Sequence, residues 1–432
     1  MKQKIIAAVL SALVLSASLA ACSGNTSETK SDNTAQTQSV SLNQNAASDG
    51  SGEATSANVT SADSTGAVYT GGYANGKINT AEMFTERDLK QEADTSDAKE
   101  LTLSDSKDVT VTEDGVYIIS GTAKNASIIV EAPDDAKVQL LLNGVSITND
   151  AAPAIYVKSA DKVFVTTADG SENTLTVSGT FTADGDTNTD AVIYSKDDLV
   201  LNGKGSLNIS STDNGISGKD DIKITGGTIN ITSVADAIEA NDSIAMTDGN
   251  ITVTTDKDAL HAENDEDDSV GYIYIGGGSI NAATGSDGIQ ATTVLQIDNG
   301  TVTVNGSEGL EATYIQINGG TINVTASDDG INASSKSTAY SVTAEFNGGE
   351  INVDMGQGDT DAIDVNGDLY INGGTFNINA QSPFDYDGAC EYNGGTIYVN
   401  GELTEDITNQ MMGGRGGMGG GPGGMGNPDE MR

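Results

Sequence analysis

What most restricts the fold of this chain is a seven-residue phrase that returns along its length. Gly-Gly-Thr-Ile-Asn-Ile-Thr at 226–232 is echoed by Gly319-Gly320-Thr321-Ile322-Asn323-Val324-Thr325, Gly348-Gly349-Glu350-Ile351-Asn352-Val353 and Gly373-Gly374-Thr375-Phe376-Asn377-Ile378. Weaker copies place the second glycine at 205, 227, 249, 278, 300, 320, 349, 374 and 395. Such steps are too short for a domain but suit a supersecondary unit that buries its apolar face only by stacking on the next. In one unit, Ile315-Gln316-Ile317 precedes the Gly-Gly corner, Ile322-Asn323-Val324 follows it, and Asp329-Gly330-Ile331-Asn332-Ala333 closes the turn. Alternation at period two marks strands with one apolar face. The expectation is an all-β solenoid, a parallel β-helix with three strands per coil and Val, Ile and Leu stacked inside. Looser copies at 138–156 and 163–192 bring it to about eleven coils, a rod about 50 Å long at ~4.8 Å per coil. Residues 109–130 are expected to cap the first coil's open edge.

Outside the repeat the composition changes. Lys2 and Lys4 precede an apolar stretch, 5–19, that ends in Leu19-Ala20-Ala21-Cys22, the layout of a secretory leader. It resembles a bacterial lipobox, which makes 1–21 a signal peptide and Cys22 a lipidated first residue at the outer face of the cell membrane. No other run is long enough to span a bilayer. From 22 to 97 the chain is Ser, Thr, Asn, Asp, Ala and Gly with almost no clustered large apolar residues, so a disordered tether is expected, with Met83-Phe84 a local sticky point. The repeat domain is assigned to 98–410 and a disordered Gly/Met-rich tail to 411–432. Cys390 has nothing to pair with once Cys22 is lipidated and falls where the repeat places a core aliphatic, so it reads as a small core residue.

Charge narrows the function. With 20 Lys+Arg against 63 Asp+Glu, the formal charge is −43, which excludes a nucleic-acid binder on electrostatic grounds. The acids are ordered by the repeat. One slot reads Asp190, Asn214 (preceded by Asp213), Asp236, Asp258, Asp287, Glu308, Asp329 and Asp361, and three residues later a second row reads Ser217, Glu239, His261, Gln290, Glu311, Asn332 and Asp364. Carboxylates stacked at coil spacing repel one another unless a cation sits between them. Calcium takes six to eight oxygens, which these side chains supply. The expected ligands are Asp213, Asp236, Glu239, Asp258, Asp287, Glu308, Glu311, Asp329, Asp361 and Asp364. The alternative is that Asp and Asn repeat because the turn repeats, which accounts for the first row better than for Glu239 and Glu311 in the second. Asp184 and Asp186 open an EF-hand-like loop that lacks the Gly at position six and the Glu at twelve. The run 264–268, Asn-Asp-Glu-Asp-Asp, lies in an insertion and reads as a solvated projection.

For catalysis the residues offer little. His261, the single histidine, has no nucleophile motif around it, and no arginine occurs between Ala98 and Asn409. A base for β-elimination on a uronate would be Lys219 or Lys257, and neighbouring carboxylates keep a lysine protonated. Paired carboxylates abound, but a ladder selects none of them for glycoside hydrolysis.

The segments Asp114-Gly115-Val116-Tyr117, Val138-Gln139-Leu140, Tyr156-Val157-Lys158, Gly218-Lys219-Asp220-Asp221, Gly271-Tyr272-Ile273-Tyr274-Ile275, Glu308-Gly309-Leu310-Glu311 and Asp385-Tyr386-Asp387-Gly388 together resemble bacterial carbohydrate-binding lipoproteins with a right-handed parallel β-helix, similar in fold to polysaccharide lyases of the pectate lyase type. The resemblance covers about 101–401. It implies calcium held by acidic side chains and binding of cellulose and acidic plant polysaccharides without established cleavage; a monomer is expected. A calcium-dependent lyase and a structural adhesin of the envelope are the alternatives. With no Trp, a flat sugar platform would have to come from tyrosines such as Tyr272, Tyr314, Tyr340, Tyr370 or Tyr398.

Overall fold

Apolar residues at every second position fix how the strands sit: one face of each turns inward, and the only way to cover it is to repeat it directly above. The structure, a computed structural model, describes residues 77–264, 266–356, 360–405 and 407–409. Cys22, the tether up to residue 76 and the tail from 410 lie outside the described residues.

Among the described residues no helix is present, and the 32 strands join in one sheet. Pairing between strands is parallel throughout, except where Thr396–Val399 meets Glu402–Thr404 antiparallel and so covers the last open edge. Three ladders result. The first aligns Leu199, Ile222, Ile244, Ile273, Leu295, Ile315, Ala344, Leu369 and Cys390. The second aligns Leu207, Ile229, Ile251, Ile280, Val302, Ile322, Ile351, Phe376 and Ile397. The third aligns Ile216, Ile238, Leu260, Ile289, Leu310, Ile331 and Ile363. All but Cys390 are buried and form one continuous core. Each fully buried aliphatic contributes about 1.5–3 kcal/mol, so the rows and not the turns hold the stack together. Cys390 is half-buried at the end of its row, with little of the stack beyond it to cover it.

The glycine corners are required by close approach. Gly320 has φ +84°, and a Cβ there would lie 2.8 Å from the carbonyl oxygen of Gly300 on the coil before.

Two expectations are corrected. Residues 109–130 are not a separate cap: Val109–Val111 pairs parallel with Ile128–Glu131, which pairs with Ile155–Ser159, so they begin the third ladder. The reason is that Val111 and Ile128 point into the core like any later rung. Nor does the tether reach to 97. Residues 77–97 contain no strand, yet they lie along the outer side of the first ladder as a strap. Phe84 is fully buried with its ring 6.4 Å from that of Tyr274, and Asp88 is fully buried with its carboxylate 3.6 Å from the Lys162 ammonium. Backbone groups of the strap find side-chain partners: the Lys77 and Ile78 N–H groups donate to Gln316 and Gln296 Oε1, each at 2.7 Å, and the Asp88 carbonyl accepts from Asn202 and Thr225. Polar composition misled because the ladder, not the strap, supplies most of the apolar surface.

Candidate functional site

Along the third ladder the turn before each strand begins with an acid or amide, and its carboxylate has a structural task. The Asp236 N–H donates to Asn214 Oδ1 at 2.9 Å, Asp258 N–H to Asp236 Oδ1 at 3.0 Å, Asp287 N–H to Asp258 Oδ1 at 2.9 Å, and Asp361 N–H to Asp329 Oδ1 at 3.2 Å. One oxygen of each side chain thus binds the next coil's backbone. The remaining polar atom meets the second row at Asn214, whose amide nitrogen donates to Glu239, and at Asp236 and Asp258, whose second oxygens face His261. In the coil above, register places Ala191 opposite Asn214, so Asp190 sits one residue before the slot it was expected to fill.

The second row lies in register through Ser217, Glu239, His261, Gln290, Glu311, Asn332 and Asp364. It meets the first row in two places where three ligand atoms lie within 4.8 Å of one another: Asp236, Asp258 and His261, and Asp287, Glu308 and Glu311. The first group carries its own cation. His261 Nδ1 is 3.2 Å from Asp236 and 3.8 Å from Asp258, and Nε2 is 3.3 Å from Glu263. Burial works against protonation of the ring, but these three carboxylates outweigh it and raise its pKa to about 9.

The second group is different in kind. Asp287 and Glu311 are buried and every donor atom is an oxygen. Burial, then Asp258, Glu308 and Glu311, push Asp287 up to about 8, and burial also raises Glu308. Lys336 is 2.7 Å from Glu311, Ser334 donates to Glu311 at 2.8 Å and Asn332 to Glu308 at 3.0 Å. Gln290 links the two groups: with its side-chain amide assigned so that nitrogen faces the acceptor and oxygen the donor, the nitrogen is 3.0 Å from Asp258 Oδ2 and the oxygen 2.9 Å from Lys336 Nζ. Three carboxyl groups against one ammonium, with Asp287 largely protonated below about pH 8 until a cation displaces its proton, make an oxygen-lined site suited to a hard cation.

The other expected ligands are dispersed. Glu239 accepts from Asn214 and Ser217, with Lys219 at 3.9 Å. Asp329 is raised to about 7 and Asp364 to about 6, in both cases by burial first and neighbouring acids second. Neither they nor Asp361 belong to a three-ligand group among the described residues, and the same holds for Asp213, which burial and Asp190 raise. Asp184 is drawn 2.7 Å from Lys158, whose hydrogen bond lowers its pKa, and the structure brings no third ligand to it and Asp186 among the described residues. Asp268 accepts from Thr338 Oγ1 at 2.6 Å, tying the acidic run to the 334–342 insertion; Asp265 lies outside the described residues.

Sequence reading passed over Lys336, which enters from that insertion and has no periodic signal. It also passed over a gathering on the first ladder, where burial, then Asp198, Asp221 and Asp242, push Asp220 up to about 6. Its signal was present, since Asp198, Asp220 and Asp242 recur every 22 residues.

A stacked all-β chain with rows of acids on one ladder defines a repeat-built β protein, and comparison with known proteins gives it a family. The family model described as "Carbohydrate-binding domain-containing protein" matches residues 105–362 and again 305–404. A protein of the same description from Acetivibrio thermocellus is 42% identical over 237 residues, covering 54% of this chain and 81% of the relative. Among solved structures, the polysaccharide lyase-like protein from C. thermocellum, a gadolinium derivative, aligns with a TM-score of 0.47 at 30% identity, over 52% of this chain and 95% of that one. The chain belongs to the carbohydrate-binding domain-containing protein family.

Proposed function

We propose that the chain is a calcium-dependent polysaccharide-binding protein, held at the outer face of the cell membrane by lipid on Cys22 and acting as a monomer. Its fold in this reading is a right-handed parallel β-helix of about eleven coils, with the strands at 109–131 forming a further turn at its start. The observation that carries the calcium assignment is the Asp287, Glu308 and Glu311 group, whose oxygens crowd within 4.8 Å with Lys336 as the neighbouring cation. Calcium would be held there by Asp287, Glu308 and Glu311, with Asn332 Oδ1, a buried oxygen without a donor, as a further candidate. The ion supplies charge that the row lacks. It also offers a way for an anionic glycan to approach a chain at −43.

Chemistry on the sugar is not part of the proposal. Lys219 lies 3.9 Å from Glu239, in ion-pair contact with it. A glycan array with and without EDTA tests the binding, followed by absorbance of unsaturated uronides with pectate and calcium at alkaline pH. Calcium-dependent retention of cellulose or an acidic plant glycan, with flat absorbance, is the expected result. Rising absorbance abolished by Lys219→Ala or Lys257→Ala would make the protein a lyase, and no glycan retained in either buffer would favour an envelope adhesin.

A further inference from the structure

The strap leads to a place far from the acid rows. On the outer side of the first ladder, Gln316, Glu345 and Tyr370 occupy successive rungs of one row, with Tyr314, Thr343 and Asp368 in the parallel row beside it. The Lys77 ammonium lies 4.2 Å from the centre of the Tyr314 ring and 5.6 Å from that of Tyr340, which comes from the insertion at 334–342. Lys77 takes part in no ion pair among the described residues. Glu345 accepts from Tyr314 Oη at 2.7 Å, Gln316 at 2.9 Å and Asn347 at 3.0 Å, and feels the Lys77 charge without pairing to it. Tyr314, Tyr340 and Tyr370 are all partly exposed.

Other lysines of the described residues pair directly with carboxylates, among them Lys99, Lys158 and Lys336. Here the ammonium lies over two aromatic rings with no carboxylate in ion-pair contact, a weak arrangement at an exposed site that a ligand carboxylate can displace. Two rungs from Gln316 along the same outer row, Tyr370, whose hydroxyl donates to Asp368 Oδ2 at 3.4 Å, offers an apolar ring face with a polar edge, the surface that the ring face of a pyranose matches. We propose that Lys77, Tyr314, Tyr340 and Tyr370 form a subsite for one uronate residue of a bound polysaccharide, its ring on Tyr370 and its carboxylate on Lys77. The proposal rests on the polysaccharide-binding reading but not on calcium, because the Asp287 group belongs to the third ladder. Tyr314 and Glu345 act as positioning residues, fixing the ring over which Lys77 lies.

The test uses the full chain with trigalacturonate and with a neutral trisaccharide, cellotriose, by calorimetry in calcium and again after EDTA. The wild type is expected to bind trigalacturonate, with a tyrosine difference spectrum that reports the contact directly because the chain has no Trp. Lys77→Gln is expected to weaken trigalacturonate about tenfold, the size of one lost charge-assisted bond, and to leave cellotriose unchanged. Lys77→Arg should restore it. Tyr370→Ala should weaken both sugars and diminish the difference spectrum, and melting curves of the variants should overlay the wild type because both side chains lie on the outside. Undiminished trigalacturonate binding by Lys77→Gln and Tyr370→Ala would overturn the subsite while leaving the binding function intact. A wild type that binds neither sugar in either buffer would overturn the function itself, and the subsite with it.

Discussion

Ser217, Glu239, His261, Gln290, Glu311, Asn332 and Asp364 occupy one slot on successive coils, and each meets its charge in a different way. Ser217 and Asn214 donate to Glu239, His261 is itself a cation between Asp236 and Asp258, and Glu311 leans on Lys336. The row itself was legible in the sequence, because register in a solenoid is the repeat period and side-chain direction follows from alternation. What was not legible is which carboxylates gather. That depends on Lys336 and Ser334, from an insertion with no periodic position, and on the backbone N–H groups that take one oxygen from Asp236, Asp258 and Asp329. His261 gives a clean measurement, since it is the single histidine of the chain. Its folded pKa of about 9 lies above the ordinary value of 6.5, so the stability it contributes is fully present below about pH 6.5 and is lost as pH rises through about 9. A proton NMR titration of its ring in calcium-free buffer should have its midpoint near 9, and Asp236→Asn should bring it down. A wild-type midpoint at the ordinary 6.5 would mean that the carboxylates do not face the ring.

Elements packed by the repeat were readable, and the one packed across it was not. The three ladders follow the segments Ile315-Gln316-Ile317, Ile322-Asn323-Val324 and Ile331-Asn332-Ala333, as alternation implies. The strap gave only Met83-Phe84 as a signal, and the partner surface of Tyr274 and Ala245 comes from strands some 160–190 residues later. Removing the Phe84 side chain should cost about 3–5 kcal/mol in urea unfolding, the range for a buried Phe→Ala change, if the strap unfolds together with the ladders. A change near zero, or a separate early transition, would mean that the strap detaches on its own. At the site, Gly309 separates Glu308 from Leu310, and a Cβ there would lie 2.2 Å from the Gly330 carbonyl oxygen and 2.4 Å from Val324 Cγ1. Gly309→Ala should therefore destabilise by about 1–3 kcal/mol and weaken calcium binding, because backbone atoms cannot move aside without shifting Glu308. Unchanged melting would show that the coils separate more easily than their spacing implies.

For the whole molecule the governing fact is charge. At −43, self-repulsion opposes stacking, and the rows concentrate that repulsion on one ladder. An ion bound only by the folded chain stabilises it by RT ln(1 + [L]/Kd), about 2.7 kcal/mol at a hundredfold excess over Kd. Calcium should therefore raise the melting temperature of decalcified protein where equal magnesium does not, since magnesium keeps its waters and tolerates only near-octahedral sites. An unchanged melting temperature after EDTA treatment would leave the rows as turn chemistry. The most direct measurement of the central claim is calorimetric titration of calcium into the decalcified full chain, the wild type beside Glu308→Gln/Glu311→Gln. The double variant is predicted to bind calcium measurably more weakly, and a control with Asp267 and Asp268 both changed to Asn is predicted to bind as the wild type does, since the acidic run is tied to Thr338 and Ser269 and lies outside the group. Equal calcium affinity in the wild type and the Glu308/Glu311 variant would contradict the account.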